Sequence, residues 1–171
     1  MNRWSALAVA VSLLAAGCSK DTPTAPSATR PTFSATLSSQ NEVPPITNAE
    51  SGGRGTATIA FNTTVAAGNI TAATADFTVN ITGLPAGTPI NLSHIHEAVA
   101  GVNGSVRVNL ALAAGEVTVG SAGTVTFTKN GINVDAALAQ TILNNPAGYY
   151  FNSHSAQNGG GVVRGQLVRT Q

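Results

Sequence analysis

The chain has one cysteine, Cys18, in 171 residues. Its folded part therefore lacks a second thiol to close an internal disulfide, even though export would permit one. Charge is equally scarce. Eight Lys and Arg stand against seven Asp and Glu, a net of +1, and the cations are scattered. That pattern excludes a nucleic-acid surface, which needs a basic stripe, and gives no support for holding the chain to an anionic membrane by charge. Low charge does not make the chain disordered, because apolar residues are 43% of it and alternate regularly with polar ones. The apolar run from Ser5 to Ala16 is too short for a transmembrane helix. Histidine is limited to three residues, His94, His96 and His154.

The first residues form a leader pattern: Met1-Asn-Arg3 is a short basic start, an apolar run follows, and Ala15-Ala-Gly-Cys18 closes it. This order fits a secretory signal peptide over residues 1–17. The small residues before Cys18 resemble the bacterial lipoprotein box, which implies lipid on Cys18, a membrane partner through that lipid and an extracytoplasmic location in the cell envelope. Residues 18–31 include three prolines and no apolar periodicity, as in a flexible tether. The folded domain is expected over 32–171.

From residue 32 onward the pattern is β. Phe33, Ala35 and Leu37 alternate with polar residues, as do Ala57, Ile59 and Phe61, then Ala75, Phe77, Val79 and Ile81. Short alternating runs recur around Val106–Leu110, Val117–Val119, Val125–Phe127, Tyr149–His154 and Val162–Val168, with Gly and Asn between them. Lys129-Asn-Gly131 predicts a hairpin turn, because Asn-Gly tolerates positive φ. One stretch departs from this period: in Val134–Leu143, Asp135 can cap, alanines favour helix, and Leu138 and Ile142 lie four apart. Together these features predict an all-β antiparallel sandwich or barrel, Greek-key-like, with one short helix. The expected core is Phe33, Ile59, Phe61, Phe77, Val79, Val106, Val108, Leu110, Phe127, Phe151 and Leu167.

Four motifs occur in order: Glu42-Val-Pro-Pro45, His94-Ile-His96 followed by Gly101 and Gly104, Tyr149–His154, and Gly160-Gly-Val-Val-Arg-Gly-Gln-Leu167. Together they resemble the CHRD domain, named for chordin, where it is repeated. The resemblance runs from Phe33 to Arg169 and implies an extracellular all-β domain. Chordin binds growth factors, and no residue here carries that partner over. Two departures from the family pattern stand out: Ser153 replaces an apolar or β-branched residue, and Val162-Val163 replaces Glu-Ile.

The candidate site residues follow from strand geometry. Alternate side chains of a strand share a face, so His94 and His96 point the same way. With His154 they make a three-imidazole set that Zn or Cu could use. Glu42, on a proline-stiffened loop, could support the set by reaching Arg164 or a histidine, and the guanidinium of Arg164 is expected on a neighbouring acid or carbonyl. No Ser-His-Asp spacing, phosphate loop or paired carboxylates stand out. The chain therefore reads as a binding or structural module rather than an enzyme, requiring no cofactor and taking an unknown protein or small-molecule ligand. The alternative is a metal-binding protein with redox chemistry open to it at the three histidines.

Overall fold

The structure, a computed structural model, describes residues 25–171. Ten strands form one antiparallel sheet: β1 (Ser27–Thr29), β2 (Thr32–Ser38), β3 (Arg54–Ala66), β4 (Asn69–Thr82), β5 (Pro89–Glu97), β6 (Ser105–Asn109), β7 (Val117–Thr118), β8 (Thr124–Val134), β9 (Tyr149–Ser155) and β10 (Val163–Arg169). The neighbour order is β6-β5-β9-β10-β2-β3-β4-β8, with β1 on β3 and β7 on β5. The last hairpin, β9–β10, thus inserts between the first long strand and β5, which gives the expected Greek-key-like crossing. The sheet curls into a nearly closed barrel. Lys129 on β8 reaches across the remaining gap to Glu116 (2.8 Å) and the Ala111 carbonyl (3.4 Å) in the β6–β7 connection.

The alternating residues form the interior. Phe33, Ile59, Phe61, Phe77, Val79, Val108, Leu110, Phe151 and Leu167 are all buried in one cluster. Phe33 and Phe61 meet edge to face at 5.6 Å, and Phe77 lies 6.3 Å from Phe151. The helix α1 (Ala136–Asn144) starts where expected. Asp135 accepts from the Leu138 amide at 2.9 Å, and Leu138 and Ile142 are buried. Ser153, which departs from the family pattern, loses nothing by its burial, because its hydroxyl pairs with that of Ser93 at 2.9 Å on the adjoining strand.

Four expectations need correction. Asn130-Gly131 is not a hairpin turn: β8 runs straight through it, pairing with β4 on both sides. Gly131 does take positive φ (66°), but as part of a β-bulge whose extra residue lies opposite Asp76, and Asp76 accepts from the Gly131 amide at 2.8 Å. Val106 is 47% exposed, because a register shift between Ile95 and His96, where β5 pairs with the edge strand β6, sets it opposite His96 instead of on the core face with Val108. Phe127 packs only partly against the core. Ser27–Thr29, read as tether, form strand β1 on β3. The leader and Cys18 lie outside the described residues.

Candidate metal centre

Strand β9 is buried along its whole length. Phe151 and Ser153 face the core, so Tyr150, Asn152 and His154 face the opposite side. The neighbouring strands complete that second face: His94 is paired with Asn152 and His96 with Tyr150 across β5, while Arg164 on β10 is paired with Asn152. Three loops cover this polar layer, 39–53, 98–104 and 156–162, and hydrogen bonds join them to one another and to the strands. Asn103 Nδ2 donates to the Val43 carbonyl at 2.9 Å, Ser39 Oγ to the Val162 carbonyl at 2.7 Å, and Asn48 Nδ2 to Asn158 Oδ1 at 3.0 Å.

The three histidines converge here, each less than a tenth exposed. One nitrogen from each ring lies within 4.8 Å of the others. His96 Nδ1 donates to the Gly104 carbonyl (3.0 Å) and His154 Nδ1 to the Gly159 carbonyl (2.9 Å). A carbonyl can only accept, so both rings are held as Nδ1–H tautomers with the lone pair on Nε2. His154 Nε2 therefore accepts from His94 Nδ1 at 3.1 Å. Among the described residues, His96 Nε2 and Asn152 Oδ1 are buried and have no hydrogen-bond partner. Gly104 is needed where it stands, because a Cβ there would come within 2.0 Å of the Glu97 carbonyl oxygen.

Three imidazoles so placed form a donor set that a metal ion could use. Ligating imidazoles usually give their other ring N–H to a carbonyl or carboxylate, which fixes the tautomer. Two nitrogens on one tetrahedral ion at about 2.0–2.1 Å stand roughly 3.3 Å apart, close to the His94–His154 separation. All three rings are shifted toward the neutral form. Burial is the main cause, lowering His94 to about 4 with help from the neighbouring imidazoles. Burial likewise outweighs the carbonyl hydrogen bonds that raise His96 and His154. Proton competition for such a site therefore begins below pH 6.5, the ordinary histidine value.

The two supporting residues are in the layer but are not paired as expected. Glu42 is buried and accepts from Asn152 Nδ2 at 2.9 and 3.2 Å. No ion pair joins it to Arg164 among the described residues. Arg164, 2% exposed, donates to Asn103 Oδ1 (2.9 Å) and the Val102 carbonyl (2.8 Å) and lies 3.9 Å over the Tyr150 ring. Tyr150 in turn stacks on His96 at 4.8 Å. Asn152 takes the place expected of Arg164 because the register sets it between β5 and β10. The candidate set drawn from the sequence includes neither Tyr150 nor Asn103, and Asn152 enters it only as a hydrogen-bond partner for a histidine ring, whereas its amide goes to Glu42. The two-residue period back from His154 points to Tyr150 and Asn152, whereas Asn103 looks like an ordinary turn or glycosylation residue.

A family model for the CHRD domain matches residues 33–167. The chain belongs to the CHRD family. No curated protein matches it. The four CHRD motifs, far apart in sequence, meet in the polar layer: Glu42 above it, His94 and His96 on β5, Tyr150, Asn152 and His154 on β9, and Arg164 on β10. What the CHRD motifs share in this chain is therefore one buried, mostly polar assembly beneath three loops, separate from the apolar core.

The charges in that assembly give opposite pH dependences. The histidines are lowered, so the folded state binds fewer protons than the unfolded chain; their contribution is full above pH 6.5 and is lost as pH falls, for His94 through about 4. Glu42 is raised to about 7 by burial, against the pull of Arg164. Its contribution is full below the ordinary value of 4.5 and is lost as pH rises through 7. We expect Glu42→Gln to change the melting temperature more favourably at pH 8 than at pH 4.5. Thermal melts across that range test this; an effect independent of pH would show that Glu42 titrates normally.

Proposed function

We propose that this CHRD domain is a lipid-anchored, extracytoplasmic module that holds one transition-metal ion, Zn or Cu, on His94, His96 and His154. The observation that carries this reading is the buried, unpartnered Nε2 of His96. A buried polar atom without a partner costs about 1–3 kcal/mol, and such atoms call for an explanation. Here the tautomer fixed by Gly104 leaves a lone pair directed nowhere else, beside two further imidazole nitrogens. A ligand site leaves such a nitrogen available; Asn152 Oδ1, the other buried atom without a partner among the described residues, is no imidazole donor. With an ion bound, the protein would supply three neutral donors with two tautomers preset and a roof that limits water.

The test is a metal titration of the full chain carrying Cys18→Ser, which removes the only thiol. One ion per chain is expected. His96→Ala should weaken binding by more than about 100-fold, since even a partner of a ligand is worth about 10–100-fold. If the wild-type site takes up no zinc or copper, or His96→Ala leaves affinity unchanged, the layer is a structural polar core and the domain a binding module for another partner.

The anchor is a separate proposal, supported by the basic start, apolar run and Ala-Ala-Gly-Cys18. Among the described residues no helix is long and apolar enough to cross a membrane. Diacylation of Cys18 would provide the two chains that stable anchoring requires. Cys18→Ser expressed in the native host should leave the membrane fraction or accumulate as uncleaved precursor; membrane association and processing like wild type would exclude a lipid on Cys18.

A further inference from the structure

We propose that the ion this site selects is copper(I), in preference to zinc(II) or copper(II); this rests on the metal-site reading above. The argument is one of charge and of donor number.

All three donors are neutral imidazoles. The histidine cluster includes no carboxylate or thiolate among the described residues. The buried carboxylates nearby lie outside the cluster: Glu42 accepts from Asn152 and, once ionised above about pH 7, offsets part of the Arg164 charge, and Glu50 accepts from the Ser155 hydroxyl and the Asn158 amide. Nothing in the donor set would offset the charge of an ion.

The same layer also holds a fixed cation. Arg164 is buried, and its two hydrogen bonds go to neutral acceptors, Asn103 Oδ1 and the Val102 carbonyl. Only the Tyr150 ring separates it from His96, with Arg164 at 3.9 Å on one side and the His96 ring at 4.8 Å. In buried surroundings the desolvation cost of an ion grows with the square of its charge, so a divalent ion is penalised roughly four times as much as a monovalent one. Repulsion from the guanidinium doubles as well.

Donor number points the same way. On three imidazoles zinc(II) takes a water as its fourth ligand and copper(II) needs further ligands for a tetragonal set, and the three loops over the layer limit that water. Copper(I), a closed-shell monovalent ion, is satisfied by three. The resulting site would keep copper reduced, with the roof loops limiting access.

The experiment uses the full chain with Cys18→Ser, under anaerobic conditions. Copper(I) is titrated against bathocuproine disulfonate, zinc(II) against a chromogenic zinc chelator, and copper(II) against glycine with spectroscopic detection of the bound ion. We expect one copper(I) per chain, with a dissociation constant at least about tenfold below those for zinc(II) and copper(II), each tenfold being about 1.4 kcal/mol. His96→Ala should abolish copper(I) uptake. If zinc(II) or copper(II) binds as tightly as copper(I) and still depends on His96, the copper(I) preference is overturned and the metal site stands. If no ion binds through His96, both are overturned.

Discussion

Phe77→Ala is expected to destabilise the domain by about 3–5 kcal/mol, the usual cost of removing a fully buried phenylalanine. Phe77 lies on β4 with no exposure and is next to the bulge that interrupts β4–β8 pairing. Its ring approaches Phe151 on β9 at 6.3 Å, so it links the β3–β4–β8 side of the barrel to the strand that carries Asn152 and His154. The void left by alanine would be bounded by paired strands that cannot collapse without breaking ladder hydrogen bonds, which places the cost toward the upper end. Denaturant unfolding of wild type and variant checks it. A loss below 1 kcal/mol would mean that the aromatic pair does not hold the two sides together.

The strands were legible in the sequence because one face of each is apolar and the other is not. Phe33, Ile59, Phe77 and Val79 needed only that period, and Asp135 with Leu138 and Ile142 marked the helix. The errors came where one local signal serves two structures. Asn-Gly accepts the positive φ of a turn and of a bulge equally well, and what decides at Gly131 is Asp76 on another strand. Val106 alternates correctly with Val108, but a register shift in the pairing with β5 exposes it. The histidine cluster was legible in part. Sharing a strand face links His94 to His96, whereas the approach of His154 depends on β9 inserting beside β5, a long-range pairing that only the ordered motifs hinted at. Glu42 is acidic and Arg164 basic, and complementary charge suggested a pair; the register instead gives Glu42 to Asn152 and leaves the guanidinium to neutral oxygens and a tyrosine ring.

That arrangement makes Arg164→Met the second large effect, expected to cost about 1–3 kcal/mol for each buried acceptor left without its donor. Methionine fills much of the space but donates nothing. Asn103 Oδ1 would lose its guanidinium donor, the Val102 carbonyl would lose its partner, and the Tyr150 ring would lose the cation above it. The damage should spread in a defined direction. Asn103 also holds the Glu42 loop through Val43, and the adjacent Gly104 carbonyl accepts a hydrogen bond from His96 Nδ1. Loss of Arg164 should therefore loosen segment 98–104 and, through Gly104, the orientation of His96. Arg164→Lys keeps the charge but lacks the planar fork that reaches both acceptors, so it should fall between wild type and Arg164→Met. Hydrogen exchange provides the specific readout, with faster exchange at the Gly104 amide, which donates to the Tyr150 hydroxyl at 3.2 Å, and little change at β3 and β4. If Arg164→Met lowers stability without any local change at 98–104, the guanidinium contributes only to packing. Retention of full stability would show that the loop is held over the histidines by its other contacts.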